Sequence, residues 1–179
     1  SRRTEDVRLY ETGRVFLPCT ECELPEERVR VAGIMAGARN RKKWFRAPEE
    51  ADFFDIKGAV ESMLNSVGIH DISFKEMDIP YLQPGQSAWV MAGEVSLGVT
   101  GTLHPFQREK FRLREWAGAF ELDLHHMLNI DTEKKYSRIP QYPEVLRDLA
   151  VVVSGDVAAE LMEGVIRVKG DDLSRVYLF

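Results

Sequence analysis

Hydrophobic residues recur along this chain with two different periods. From Val7 to Phe16, VRLYETGRVF mixes β-branched and aromatic residues with polar ones, which predicts a strand. VRVAGIMAG, from Val29 to Gly37, predicts a second strand, and the polar, acidic loop PCTECELPEER between them makes the pair a long hairpin. The period then lengthens. In DFFDIKGAVESMLNSVG the residues Ile56, Val60, Met63, Leu64 and Val67 share one face of a helix, with Asp55 as the expected N-cap and Gly68 as the stop. Gly58 inside that helix costs up to ~1 kcal/mol relative to Ala, so close packing against a sheet is expected there.

Strand-like alternation returns at Ile72 and Phe74. After a Pro-Gly turn come two more strands, Ser87–Ala92 and Val95–Leu103, joined tightly at Gly93-Glu94. Pro105 opens a short helix through Phe111, and His104 before it is expected to cap or hydrogen-bond in the turn. AFELDL predicts another strand, with Phe120, Leu122 and Leu124 on one face and Glu121 and Asp123 on the other. The pattern breaks at NIDTEKKYSRIPQYPE, which is polar, holds two prolines and has no apolar period, so a boundary is expected there. Beyond it RDLAVVV reads as a buried-type strand. DVAAELMEGVIRVKG reads as a helix with Val157, Leu161, Val165 and Val168 inward, and LSRVYLF as a last strand. The expected class is α+β: a hairpin-rich first domain over residues 1–131, then a β-α-β unit over 132–179, about half of a ferredoxin-like fold.

Composition narrows the function more than the fold. The 179 residues are 44% apolar and 30% charged, as expected for a globular protein. The longest aliphatic run, Leu149–Val153, is far too short for a membrane span, and no leader-like segment opens the chain. A net charge of −5 argues against nucleic-acid binding by overall field, so any such contact needs a local basic patch. Two cysteines make no disulfide framework, and a cytoplasmic, reducing location is the default. The chain starts on Ser1 and reads from there as mid-domain sequence, so it is expected to be a piece of something longer.

Four segments carry candidate chemistry. FELDLHHML sets Glu121, Asp123, His125 and His126 within six residues. These are metal-ligand and acid/base types, and they would serve a free-standing metal-dependent hydrolase. Adjacent helical residues point ~100° apart, however, and no spaced His-x-x-x-His exists. Solvated carboxylates and helix-start histidines are the better reading, with no metal and no catalytic residue. Cys19 and Cys22 have zinc half-site or redox spacing, but Glu21 and Glu23 disfavour a reactive thiolate, so an incidental loop pair is expected. RNRKKWFR interleaves cations with Trp44 and Phe45, as RNA contacts do. A solvated linker with its aromatics tucked into the core is the preferred alternative. EKKYSR with Arg147 forms a second basic cluster: Tyr136 could stack on a base, and Lys134, Lys135, Arg138 and Arg147 could reach phosphates. The other reading is a basic linker with Arg147 paired to Asp148 or Glu144.

In its order of segments the chain resembles the bacterial phenylalanyl-tRNA synthetase β subunit. FFDIKGAVE at Phe53–Glu61, GTLHP at Gly101–Pro105 and YPEVLRDLAVVV at Tyr142–Val153 carry the resemblance, which runs over nearly the whole length. It implies the end of a class II synthetase-like core followed by the start of a ferredoxin-fold anticodon-binding domain. It also implies an enzyme of two α and two β chains that uses ATP and Mg2+ to join phenylalanine to tRNA(Phe), with the chemistry on α. Catalytic class II cores have a Gly-rich strand leading into a helix whose early Arg holds phosphates. Laid on that pattern, Glu121 and Asp123 stand at the glycine positions and His126 at the arginine, a degenerate nucleotide site. Two carboxylates there repel phosphate, and a neutral imidazole is no guanidinium fork. The segment is therefore expected to bind no cofactor, to act as a scaffold and to contribute to tRNA binding. A pure protein-interaction module is the remaining alternative. Its β-α-β half would leave open strand edges, so self-association or poor order of that half is expected.

Overall fold

The computed structural model describes residues 6–19, 24–40, 44–45, 47, 49–113, 115–130, 148–155, 157 and 159–170. The chain divides into two compact units, Ser1–Lys135 and Tyr136–Phe179. In the first, β1 (Val7–Leu17) and β2 (Glu26–Ala36) form the expected hairpin, paired from Val7↔Ala36 to Leu17↔Glu26. Two short strands, β3 (Ala38–Asn40) and β4 (Glu49–Glu50), pair with each other ahead of α1 (Phe53–Ser66). Then come β5 (Ile72–Glu76), β6 (Leu82–Ala92), β7 (Val95–Leu103), α2 (Pro105–Lys110), β8 (Ala117–Asp123) and α3 (Leu124–Leu128). The main sheet is antiparallel throughout, in the order β1-β2-β8-β7-β6-β5.

One face of this sheet is buried by α1 and α3. Val60 and Leu64 of α1 and Met127 of α3 close on Val31, Val90, Leu97 and Leu122 from four strands. Ala51, Ile56 and Trp116 form a second cluster beside it. Period-2 alternation sends the intervening residues, Arg30, Trp89, Val99 and Glu121 among them, to the other face.

Asp52, not Asp55, caps α1. Its carboxylate accepts the Phe54 N–H at 2.9 Å, and Asp55, three residues on, returns the favour by accepting the Asp52 N–H at 2.7 Å. Arg39 of β3 clasps both acids, at 2.8 Å to Asp55 and 2.9 Å to Asp52. Burial pushes the Asp55 carboxyl up, but Arg39 and the Asp52 N–H outweigh it and hold the group below its ordinary range. The same contacts, led by the hydrogen bond to Asp55, push the Arg39 guanidinium further up.

Gly58 does not pack closely. A Cβ there would meet nothing within 4 Å. At ~100° per residue it is turned away from both Ile56 and Val60, so it lies off the buried stripe. The Pro-Gly pair at 84–85 is likewise not a turn before the strand. It sits inside β6, where the register shifts between Leu82 and Ser87 and Gly85 takes φ 72°. His104 does cap α2, its ring nitrogen accepting the Phe106 N–H at 3.2 Å.

In the second unit α4 (Ala159–Gly170) forms where a helix is expected. Its stripe is not inward: Leu161, Val165 and Val168 are all exposed, and Val157 precedes the helix. The expected strand at 147–153 is absent from its described residues, 148–153, and Val152 is fully exposed. A strand of this kind exists only through a paired neighbour, and none is present among the described residues. The last expected strand lies outside them.

Candidate functional site

The polar residues of the open face converge where β2 and β8 run side by side. Arg28 and Arg30, two apart on β2, point to the same face as Glu121 and Asp123, two apart on β8. The ladder sets Arg30 opposite Asp123 and Ala32 opposite Glu121. The ion pairs nevertheless run diagonally: Arg30 donates to Glu121, and Arg28 to Asp123 at 3.3 Å. His126 from α3, Ser96 and Gly98 from β7, Trp89 from β6 and Tyr81 complete a cleft of about 300 Å3. An apolar hollow of about 500 Å3, lined by Leu9, Ala32, Ile34, Leu82 and Ala119, adjoins it and shares Tyr81, Val99 and Glu121.

Asp123 has two duties. Its side chain, only 7% exposed, pairs with Arg28 and also accepts the N–H groups of His125 at 2.9 Å and His126 at 3.3 Å as the cap of α3. Burial pushes this carboxyl up, but the His126 N–H and ring, the His125 N–H and Arg28 together hold it below its ordinary value. Tyr81 moves the opposite way: burial and the Glu121 charge raise its hydroxyl, with Arg30 opposing. His126 Nδ1 lies 2.8 Å from the Ser96 carbonyl, and a carbonyl only accepts, so Nδ1 carries the hydrogen.

Of the sequence candidates, the structure brings Glu121, Asp123 and His126 into one cleft. His125 leaves it, its Nε2 lying 3.1 Å from the Asn129 side-chain nitrogen, so the four residues of a hydrolase centre are not assembled. No group of three metal-ligating side chains occurs among the described residues. Lys134, Lys135, Tyr136, Arg138 and Arg147 lie outside the described residues. Cys19, just beyond the end of β1, is disulfide-bonded. Cys22 is outside the described residues.

Trp44 and Phe45 overturn their expected place in the core. Trp44 is 94% exposed and Phe45 64%, and the rings meet edge to face at 5.2 Å and 79°. The β3–β4 ladder closes at Asn40 and Glu49, so the turn carrying both rings lies beyond it.

Sequence reasoning missed Arg28 and Arg30. Their signal was available: two cations spaced by two on one strand match two acids spaced by two on another. Nothing in the sequence marks Tyr81 or Trp89 as their neighbours, because the β6–β7 bulges decide which residues reach the cleft.

Comparison with known proteins adds three findings. The family model described as the phenylalanyl tRNA synthetase beta chain CLM domain matches residues 1–124. The phenylalanine–tRNA ligase beta subunit of Bacillus licheniformis is 36% identical over 100% of this chain and 22% of its own length. That of Moorella thermoacetica is 38% identical over 98% of this chain, again 22% of its own length. The chain thus spans 22% of the length of these curated relatives. Among solved structures, a pyrrolysyl tRNA synthetase from Desulfitobacterium hafniense aligns at TM-score 0.48 and 16% identity, over 70% of this chain and 40% of that one.

Proposed function

The chain belongs to the phenylalanyl-tRNA synthetase β-chain family, and from that premise we propose that it is a non-catalytic scaffold segment of a phenylalanine–tRNA ligase. The observation that carries this is the diagonal pairing of Arg30 with Glu121 and Arg28 with Asp123. A nucleotide site needs cations free to meet phosphate. Here the arginines of the cleft are engaged, and a phosphate beside Glu121 would meet like charge, at about 4 kcal/mol for two unit charges 4 Å apart near a protein surface. ATP and Mg2+ therefore do not fit this cleft. They belong to the whole enzyme, which joins phenylalanine to tRNA(Phe) on the α chain of an assembly of two α and two β chains in the cytoplasm.

The test is ATP–pyrophosphate exchange by the purified chain with phenylalanine present. No exchange above blank is expected; exchange that disappears in Glu121→Arg would overturn the reading. Residues 1–131 serve as the scaffold, and 132–179 begin the anticodon-binding domain, where Lys134, Lys135, Tyr136, Arg138 and Arg147 contact tRNA. Nuclease footprinting of the assembled enzyme checks that contact, and unchanged cleavage after their joint replacement would refute it. The exposed stripe of Leu161, Val165 and Val168 supports self-association of this half in isolation, to be read by sedimentation.

A further inference from the structure

The two edges of the main sheet differ. β5 is five residues long, whereas β1 runs for eleven, holds no proline and pairs with β2 without a bulge. Beyond β1 no further strand follows among the described residues, so every second residue turns its backbone N–H and C=O away from any ladder. Shortness, proline and bulges are the usual guards of such an edge, and β1 has none of them. Its large apolar side chains are not withdrawn either: Leu9 is 65% exposed, Tyr10 81% and Phe16 64%. Alternation puts the odd-numbered residues of β1 on the open face, Leu9 lining the apolar hollow there, and the even-numbered ones on the α1 face. The remaining guard is charge, in Arg8, Glu11 and Arg14. These three fall into place against their own strand read backwards.

We propose that β1 is a homodimer seam: β1 of a second copy adds antiparallel about a two-fold axis through Thr12, joining two six-stranded sheets into one. The axis is normal to the sheet, so residues opposite one another must share a face. With Thr12 on the axis, all eleven residues of each strand are paired. On the open face Leu9 meets the second copy's Val15, and Val7 meets its Leu17. On the α1 face Tyr10 meets the second copy's Arg14, a ring–guanidinium contact, and Arg8 meets its Phe16. Glu11 falls opposite Gly13, so no like charges stand directly across the seam. Moving the axis to Glu11 sets that acid against its own copy and Arg8 against Arg14, which is repulsive. Moving it to Gly13 leaves Val7 and Arg8 outside the ladder. One register satisfies charge and length together, and the strand that supplies it is β1 itself. The pair of Arg14 with Glu27, at 2.6 Å, stays within its own copy.

The full 179-residue chain should sediment as a dimer at tens of micromolar. Thr12→Cys, on the axis, sets the two Cα atoms about 4.5–5.5 Å apart, within disulfide span. Mild oxidation should therefore give a covalent dimer on a non-reducing gel, with wild type as the blank for its own cysteines. Leu9→Cys is the control: its two copies are offset by six residues along the seam, ~20 Å, and should not cross-link. Leu9→Lys should weaken the dimer about fivefold, and adding Val15→Glu to the same chain should restore it, because these positions meet only between copies. Leu9 and Thr12 are exposed, and a circular-dichroism spectrum like that of wild type shows that each variant keeps its fold. Association through α4 is separated by Leu161→Ser with Val165→Ser and Val168→Ser, which should leave this dimer intact. Loss of the dimer in that triple variant would overturn the proposal. So would a chain that stays monomeric, or Thr12→Cys cross-linking no better than Leu9→Cys. Failure of Val15→Glu to restore association in Leu9→Lys would overturn it as well.

Discussion

Arg30 stands directly opposite Asp123 in the β2–β8 ladder, yet its guanidinium goes to Glu121, two residues along the same face. The offset leaves Asp123 to Arg28 and to the start of α3. Four charges are thereby arranged as two crossed-register pairs, and the cleft carries no spare cation among these residues.

A double-mutant cycle tests the Arg30–Glu121 pair. Both side chains keep some solvent contact, at 28% and 39%, so a coupling of about 0.5–1 kcal/mol in urea unfolding is expected. Removing Glu121 alone leaves the partly buried Arg30 guanidinium without its carboxylate, so it should cost more than the coupling itself. A coupling near zero would mean that the diagonal pair does not hold in solution.

Asp123 separates cap from charge. Asp123→Ala loses the α3 cap and the ion pair to Arg28, which keeps only Glu26 at 2.7 Å, and about 2 kcal/mol of destabilisation is expected. Asp123→Asn keeps an oxygen for the His125 and His126 N–H groups and should lose roughly half as much. Equal losses, measured by urea titration, would show that capping contributes nothing.

Stability should fall in acid through Asp55 and Asp123. Both have folded pKa values below the ordinary carboxylate range, so the unfolded chain takes up protons first as pH falls. Their stabilisation is full above about pH 5 and is lost as pH drops through the ordinary value near ~4 and then the lowered folded values. Asp55→Asn with Asp123→Asn should flatten the decline in Tm between about pH 5 and pH 3; an unchanged slope would assign acid sensitivity elsewhere.

Two glycines should respond with opposite sign. Gly98 has φ 151°, and a Cβ there would lie 2.1 Å from the Glu121 carbonyl oxygen, so Gly98→Ala must push β7 and β8 apart. A loss of about 3 kcal/mol or failure to fold is expected. Gly58→Ala meets nothing within 4 Å in the middle of α1 and should stabilise by about 0.5–1 kcal/mol. Thermal melts of the pair decide both.

Sequence alone determined the elements whose signal is local. The hairpin of β1 and β2, the Ile56–Val60–Leu64 stripe of α1, the His104 cap and the alternation that puts Glu121 and Asp123 on one face all follow from spacing within a few residues. It also determined the family, because several short segments in fixed order are jointly specific. Tertiary structure decided whatever depends on a distant neighbour. The capping box of Asp52 and Asp55 gained a third member in Arg39, which reaches both acids from β3. Glu121 and Asp123 became one half of a charge lattice because β2 falls beside β8, ninety-odd positions away in the chain. Trp44 is outside rather than in the core because it sits on the turn beyond the end of the β3–β4 ladder. Periodicity fixes which way a side chain faces; only the packed fold fixes what it meets there.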